Sequence, residues 1–235
     1  IESSIDRYFD TQKRKYFITH RIEPIIKYLE PETTILDVGC GTGVFVRYML
    51  DFGFTAEGID SSYKSIDIGK EMLNLGSQML TKGDWTSIPA DKKYGLISAW
   101  TVIEHLSQPS RFLQFLQSHL LPQGLILLEF PTVDSLLFKY LHKDFFWVMP
   151  PYHLTLFSRE GMRLLLRRCG FTILEEYNMP SNWNFTNSVS RKVGIHKPPN
   201  SKTDKLFEEI DRVFDNIAYD LNQSSSVCFI CQSIN

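Results

Sequence analysis

A run of glycines directly after a predicted strand is the feature that most constrains this chain. Residues 33–38 are largely apolar, and the segment Gly39-Cys40-Gly41-Thr42-Gly43 follows them at once. Residues 44–50 then show the apolar spacing of a helix. Glycines at alternate positions allow a tight turn and let the backbone approach a ligand without a Cβ clash. The sequence therefore predicts a strand–loop–helix unit with a binding site at the carboxyl end of the strand.

Strands and helices alternate along most of the remaining sequence. Apolar segments predict further strands over residues 54–59, 79–82, 94–100, 125–130, 171–177 and 227–230. Helices are predicted over 4–29 with a break near Asp10 or Pro24, over 63–75 with a stop at Gly76, from Pro109, after the cap Ser158, and over 203–221. Residues 180–202 are polar and predict a loop. The alternation indicates an α/β fold with a doubly wound, mostly parallel sheet.

Composition excludes several classes of protein. The 235 residues are 43% hydrophobic and carry a net charge of -2, which indicates a globular chain and disfavours a nucleic-acid partner. No apolar run approaches the length of a membrane span, and the first residues predict no signal peptide. Cys228 and Cys231 lie in an apolar strand, so we interpret them as buried thiols rather than a redox or metal pair. A cytoplasmic location fits these thiols.

The glycine loop does not fit a dinucleotide. That fingerprint needs a third glycine, and counting from Gly39 or Gly41 the required position holds Val44 or Val46. A nucleoside triphosphate loop of the GxxxxGK[ST] type does not occur either. Asp37, before the glycines, would repel a pyrophosphate and attract an ammonium. We therefore expect a ligand that carries a nucleoside and an amino acid but no phosphate.

Two further carboxylates and two tryptophans suit such a ligand. Asp60 ends the second strand, where its carboxylate can accept hydrogen bonds from both ribose hydroxyls. Asp84 follows the third strand and can accept from an adenine amino group, while Trp85 or Trp100 can pack against the ring. Each residue also has a plainer interpretation: Asp60 as a helix cap, Asp84 as a turn residue, and the tryptophans as core.

Four blocks in order resemble the class I S-adenosylmethionine (SAM)-dependent methyltransferases. They are D-x-G-x-G-x-G at residues 37–43, Asp60, Gly83-Asp84-Trp85 and Ile103-Glu104-His105-Leu106. Across roughly residues 30–180 the chain looks most like the small-molecule group that includes ubiquinone-type O-methyltransferases. The resemblance implies SAM as cofactor and S-adenosyl-L-homocysteine as product. It also implies a Rossmann-like, seven-stranded sheet whose last strand, near residues 227–230, is antiparallel.

The resemblance assigns cofactor binding to ten residues. They are Asp37, Gly39, Cys40, Gly41, Gly43, Asp60, Ser61, Asp84, Trp85 and Trp100. Asp37 has an alternative role, which is to hold the amides of the glycine loop. Cys40 and Thr42 are small enough for the turn.

The predicted organisation is an N-terminal helical cap over 1–30 and a SAM-binding domain over 31–235. This domain has two insertions: a lid over 132–157, after the fifth strand, and a helical insertion over 180–223. Residues 138–157 hold seven aromatic side chains, well above the chain average of 13%. We interpret the first insertion as a lid over an apolar acceptor pocket. A small satellite core is the alternative, and Lys139, His142 and Lys143 leave a membrane-surface patch as a third.

Two histidines are the candidate catalytic residues. His105 follows the fourth strand, and His153 lies in a Pro-x-His block that resembles one in many relatives. A histidine near the transferred methyl group can take the proton of a hydroxyl acceptor. The alternative is that each histidine only ties the lid to the sheet. Glu104 with both histidines would be a divalent-metal site as in some relatives, but we expect no metal.

The sequence as a whole predicts a SAM-dependent methyltransferase that methylates a small molecule with an apolar or aromatic part at oxygen. Transfer to nitrogen or carbon of a sugar, lipid or polyketide intermediate is the alternative, as is a catalytically silent SAM-binding module. The chain is expected to be a monomer or homodimer. The apolar positions of the helix over 203–221 (Phe207, Ile210, Phe214, Ile217 and Leu221) are expected to cover the sheet, with a dimer contact as the alternative.

Overall fold

A seven-stranded sheet forms the centre of the protein in the computed structural model, which describes residues 2–180, 184–194 and 203–234. The strand order is β3-β2-β1-β4-β5-β7-β6. The neighbours from β3 to β5 pair in parallel, and β7 pairs antiparallel with both β5 and β6. The mostly parallel, seven-stranded sheet with an antiparallel last strand is thereby confirmed.

The strands are β1 Thr34–Val38, β2 Thr55–Asp60, β3 Leu80–Lys82, β4 Tyr94–Trp100, β5 Leu120–Pro131, β6 Phe171–Met179 and β7 Ser226–Ser233. The α-helices are α1 Glu2–Phe9, α2 Thr11–Phe17, α3 Glu23–Ile26, α4 Val44–Asp51, α5 Tyr63–Met72, α6 Pro109–Ser118, α7 Leu136–Leu141, α8 Arg159–Arg168, α9 Asn184–Val193 and α10 Thr203–Asp220. A π-helical turn, Ile18–Ile22, joins α2 to α3.

Local sequence explains where several helices begin and end. Asp10 accepts hydrogen bonds from the first turn of α2, so the predicted break in the N-terminal helix is confirmed there. Ser158 caps α8 in the predicted way. The predicted end of α5 is wrong: the helix stops at Met72, and Asn74 takes the left-handed conformation (φ 51°) that ends it before Gly76.

Two buried apolar clusters cover the two faces of the sheet. One joins the N-terminal helices, α4 and α5 to residues such as Leu96 and Leu127, and the other joins α6 and α8 to residues such as Ile97 and Leu128. Adjacent strand residues therefore face opposite clusters, as expected for a doubly wound sheet. Cys228 and Cys231 are buried free thiols on β7, as predicted.

The second insertion differs from the prediction. Residues 184–193, expected in a loop, form helix α9. Helix α10 packs against α9, where Asp211 accepts from Thr186, and Ile210, Ile217 and Leu221 are exposed. The expectation that its apolar positions cover the sheet is therefore wrong, because buried polar contacts attach the helix. Among the described residues, no helix is long and apolar enough to cross a membrane.

Candidate functional site

The glycine loop lies at the carboxyl ends of β1, β2 and β4. Gly39, Gly41 and Gly43 all have positive φ angles (71°, 57° and 76°), which glycine adopts at little cost. A Cβ on Gly39 would lie 2.5 Å from the Val102 side chain. The loop and the segment after β4 therefore touch, and only glycine permits that contact.

Asp37 is fully buried at the end of β1. The Ser98 hydroxyl, on β4, donates to its carboxylate at 2.7 Å. Burial raises the pKa of Asp37 to about 7, partly offset by this hydrogen bond. The amides of Gly39 and Cys40 donate to the carbonyl of Ile59 rather than to this carboxylate. A bound cation, such as an ammonium group, would favour the ionised form of the Asp37 carboxylate.

Asp60 connects β2 to the same loop. One carboxylate oxygen accepts from the amide of Gly41 and the other from the amide of Ser62, each at 2.7 Å. Ser62 is the N-cap of α5, so the alternative that Asp60 caps this helix does not hold. Each oxygen has a second lone pair, so the carboxylate can also accept from two hydroxyls. Ser61 follows and is exposed.

Asp84 and Trp85 lie at the end of β3. Asp84 is exposed and accepts from the hydroxyl and from the amide of Thr86, capping a short 3₁₀ turn, and these hydrogen bonds, first the one from the hydroxyl, lower its pKa. The Trp85 ring packs edge-on against Phe112 and Phe115, with centroids 5.5 and 4.9 Å away. In the structure Asp84 is thus a turn residue and Trp85 packs against the core. Contact of either residue with an adenine stays a prediction.

Trp100 ends β4 on the opposite face of the sheet. Its ring lies 5.2 Å from that of Phe45 and 4.5 Å from the guanidinium carbon of Arg21. Its indole Nε1 is buried, and it has no hydrogen-bond partner among the described residues. Arg21, in the π-helical turn, forms an ion pair of 2.6 Å with Glu129, which lies beside Trp100 on β5.

This ion pair was not predicted from the sequence. Glu129 is a lone charge in an otherwise apolar strand, and that was the available signal, because a buried charge is paired or functional. Nothing in the local sequence singles out Arg21. Its position follows from the packing of the N-terminal helices over the sheet.

Glu104, His105 and His153 come together at the carboxyl end of β4. Glu104 is fully buried, and both of its carboxyl oxygens lack a hydrogen-bond partner in the part of the chain that the structure describes. Burial raises its pKa to about 8, and the charge of Glu129 adds to this rise. Ligand atoms of the three side chains all lie within 4.8 Å of one another.

The two imidazoles are fixed in the same way. His105 Nδ1 lies 2.8 Å from the carbonyl of Tyr152, and His153 Nδ1 lies 2.8 Å from that of Trp147. A carbonyl only accepts, so each Nδ1 carries the proton and each neutral ring keeps a lone pair on Nε2. Burial lowers the pKa of His153, and the neighbouring His105 lowers it further, so this ring stays neutral at neutral pH.

The first insertion is tied to this cluster and to α9. The amides of Leu154 and Thr155 donate to the carbonyl of Glu104, so residues after the aromatic stretch lie against the end of β4. On the other side, the amide of Phe146 donates to Ser188, and Arg191 donates to the carbonyl of Val148. The insertion is thus attached both to the end of β4 and to α9, and its action as a lid or as a satellite core stays a prediction.

Comparisons with known proteins agree with this architecture. A family model described as a methyltransferase domain matches residues 10–176. A ubiquinone biosynthesis O-methyltransferase of Coxiella burnetii is 27% identical over 139 residues, covering 52% of this chain and 56% of that protein. One of Bartonella tribocorum is 30% identical over 95 residues, covering 39% and 38%.

Solved structures share the fold. A SAM-dependent methyltransferase of Archaeoglobus fulgidus superposes with a TM-score of 0.61 at 20% identity, covering 96% of this chain and 100% of that one. A methyltransferase of Clostridium acetobutylicum that depends on S-adenosylmethionine gives 0.62 at 12% identity, covering 100% and 98%.

The chain belongs to the methyltransferase-domain family, in the class I SAM-dependent group that the sequence blocks resemble. It spans about half the length of the curated relatives it matches.

Proposed function

We propose that the protein transfers the methyl group of SAM to a hydroxyl oxygen of a small molecule. The observation that carries the proposal is the position of two adjacent imidazoles, His105 and His153, at the carboxyl end of β4, the strand that leads to Val102 and so to the contact with the glycine loop. The ubiquinone-type relatives are named as O-methyltransferases, which supports oxygen as the methylated atom and an acceptor with an apolar or aromatic part.

The ten predicted cofactor residues would bind SAM in distinct ways. Asp37 would hold its ammonium, and the backbone of Gly39, Cys40, Gly41 and Gly43 would face its methionine part. Asp60 would accept from the ribose hydroxyls, with Ser61 at the rim. For the adenine, Asp84 would accept from the amino group, with Trp85 or Trp100 beside the ring. The positive φ angles and the free lone pairs of Asp60 support this placement.

Methyl transfer forms a C–O bond and breaks the C–S bond of the sulfonium, so the hydroxyl proton must go to a base. His153, or His105 beside it, takes this proton on Nε2. A positioned base contributes about 10²–10⁴-fold, and holding the two reactants in line contributes the remainder. The N-terminal helices and the insertion over 132–157 would exclude water from the reaction.

The cluster of Glu104, His105 and His153 suits a second function, because the buried carboxyl of Glu104 has no hydrogen-bond partner among the described residues. Two imidazole nitrogens and one carboxyl oxygen within 4.8 Å of one another fit a divalent cation. Both histidines donate their other nitrogen to a carbonyl, which is the usual support of a metal ligand. Such a cation would supply Lewis acidity to the acceptor hydroxyl.

The first experiment is thermal unfolding with SAM, S-adenosylhomocysteine, NADH and ATP in parallel. A ligand at 100 times its Kd adds about 2.7 kcal/mol, which shifts the Tm by a few degrees. We expect shifts with the first two ligands alone. A shift with NADH, or with none of the four, would refute the proposed cofactor.

Turnover of mixed acceptors then separates an enzyme from a silent SAM-binding module. An enzyme releases S-adenosylhomocysteine when an acceptor is present, whereas a silent module binds SAM and releases none. The same assay with a chelator, followed by added Mn²⁺, decides between a metal-free base and the cation. If the histidine base acts alone, turnover should not change with the chelator. If a cation is required, turnover should fall with the chelator and recover when Mn²⁺ is added. Analysis of the methylated product distinguishes oxygen from nitrogen or carbon.

The partners and location follow from the same proposal. We expect a small-molecule acceptor and no nucleic acid, and a cytoplasmic protein in keeping with its free cysteines.

A further inference from the structure

A row of polar side chains crosses four strands on the face of the sheet that the N-terminal helices cover. Trp100 on β4 lies beside Glu129 on β5. Cys228 on β7 lies opposite both Glu129 and Tyr177, the latter on β6. Ser226 comes two residues before Cys228, so its side chain lies on the same face. Neighbouring strands are about 4.8 Å apart, so this row is about 14 Å long from β4 to β6.

Four side chains of the row each have a buried polar atom without a hydrogen-bond partner among the described residues. These atoms are the indole Nε1 of Trp100, Oε2 of Glu129 and the hydroxyls of Tyr177 and Ser226. Oε2 of Glu129 lies 2.6 Å from Nη2 of Arg21 but outside hydrogen-bond geometry, so it can still accept. The Tyr177 hydroxyl interacts with the thiol of Cys228, which is a weak partner. Because buried polar groups are normally hydrogen-bonded, a row of such atoms indicates a missing ligand.

The hydrogen-bonding character of the polar row (Trp100, Glu129, Tyr177 and Ser226) indicates what this ligand is. An indole N–H only donates, a carboxylate only accepts, and the hydroxyls of Tyr and Ser do both. A ligand hydroxyl can pair with each of them, because it both donates and accepts. A ligand that pairs with groups spread over about 14 Å needs several hydroxyls, as a sugar has. A purely apolar ligand would leave the row unpaired, which is costly in a buried site.

The polar row lies between the two parts of the proposed methyl-transfer site. At one end, the ring of Trp100 lies 5.2 Å from that of Phe45, in the first turn of the helix that follows the glycine loop. Burial raises the pKa of Glu104, and the charge of Glu129 raises it further, so these two carboxyl groups are within electrostatic reach. Glu104 in turn lies next to the histidine pair. A molecule bound along the row is therefore close to both the cofactor loop and the histidines.

We infer that the polar row is the acceptor subsite and that the acceptor carries a polyhydroxylated part, such as a sugar ring. This inference rests on the proposed function, transfer of a methyl group from SAM to a hydroxyl oxygen, and names the class of acceptor. Hydroxyls of the acceptor accept from Trp100, donate to Glu129 and pair with Tyr177 and Ser226. A further hydroxyl takes the methyl group and gives its proton to the histidine pair.

The first test needs no acceptor. A buried hydroxyl without a partner destabilises the folded state, so Tyr177→Phe should keep or raise the Tm of the ligand-free protein. Tyr28→Phe is the matched control, because the Tyr28 hydroxyl donates to Glu175 at 2.9 Å and its removal should lower the Tm. If Tyr177→Phe lowers the Tm as the control does, its hydroxyl is already paired, for example with an ordered water, and the inference fails.

The second test is release of S-adenosylhomocysteine from SAM with two sets of acceptors at equal concentration. One set consists of methyl glycosides of hexoses and pentoses, and the other of phenol, catechol and 4-hydroxybenzoate. We expect turnover with the glycosides alone. Turnover of the phenols alone, or of neither set, would overturn the acceptor class. The Tm shift with SAM tests the proposed cofactor separately, so the two proposals can fail independently.

Variants of the row then show whether it binds the acceptor. With a glycoside that is turned over, Tyr177→Phe and Ser226→Ala should each raise the KM for the glycoside about 2- to 10-fold, the range of one neutral hydrogen bond. The Kd for SAM should stay constant in both variants. Tyr28→Phe should keep the KM of the parent protein. An unchanged KM in both Tyr177→Phe and Ser226→Ala would contradict the proposed subsite.

Discussion

The carboxylate of Asp60 and the amide of Gly41 are joined by a hydrogen bond of 2.7 Å, which ties the end of β2 to the middle of the glycine loop. The other oxygen of Asp60 binds the amide of Ser62. One side chain thus shapes the loop and keeps lone pairs for the proposed ligand. The structural role and the proposed binding role can be separated by comparing the stability and the affinity of variants.

Asp60→Asn should weaken SAM binding. The amide can replace only one of the two carboxylate acceptors, and hydrogen bonds to charged groups contribute about 1.5–3 kcal/mol, so the Kd should rise about 10- to 100-fold. Isothermal titration with SAM measures this change. Asp67→Asn, on the exposed side of α5, is the control and should bind SAM like the parent protein. Unchanged affinity in Asp60→Asn would contradict the ribose assignment.

SAM affinity should rise between pH 6 and pH 8. The pKa of Asp37 is raised to about 7 by burial, and only its ionised form attracts the ammonium of SAM. The Kd should therefore fall about tenfold over this range, as a single group with that pKa titrates. Asp37→Asn, which removes the charge and keeps an acceptor for Ser98, should bind weakly and without this dependence. The same slope in both proteins would show that Asp37 does not control the affinity.

The raised pKa of Asp37 also predicts how stability changes with pH. Because the folded state holds this proton more tightly than the unfolded chain, its contribution is present below pH 4 and is lost as pH rises through about 7. Ligand-free Asp37→Asn should therefore lose less stability than the parent between pH 5.5 and pH 8. Urea unfolding at the two pH values measures the difference, and equal losses would refute the assigned cause.

Removing the imidazole base should slow catalysis without loss of the cofactor. In His153→Asn the amide nitrogen can still donate to the carbonyl of Trp147, but no group replaces Nε2. We expect kcat to fall about 10²- to 10⁴-fold while the Kd for SAM stays constant. His105→Asn is tested in the same way, and the exposed His142→Asn is the control. Full activity in both variants would leave the histidines with a structural role alone.

Glu129→Gln should destabilise the fold. It leaves the guanidinium of Arg21 without a charge partner against the ring of Trp100. Breaking a buried ion pair on one side costs about 3–5 kcal/mol, whereas replacing both partners by apolar residues costs little. The double variant Arg21→Met/Glu129→Leu should therefore be more stable than Glu129→Gln by urea unfolding. If the double variant is less stable than Glu129→Gln, the ion pair stabilises the fold by more than the neutralisation of one buried charge by the other.

Local patterns predicted most of the sheet. β4 has the predicted bounds, because an apolar run between turn residues leaves little choice. Helix α9 was missed, since its residues are polar and small, and its first turn is held by Asp211 from a distant part of the chain. The orientation of α10 was also predicted wrongly. The spacing of its apolar residues shows that the helix has an apolar face, but not which part of the protein that face contacts.

The candidate site divides in a similar way. The sequence by itself determined the places of the glycine loop, Asp37 and Asp60, because each lies at the carboxyl end of a strand whose apolar pattern can be read locally. Only the tertiary structure brought His153 to Glu104 and His105, and Arg21 to Glu129. Those partners lie on segments far apart in the chain, and their distances depend on how the insertion and the N-terminal helices pack on the sheet, which no local pattern encodes.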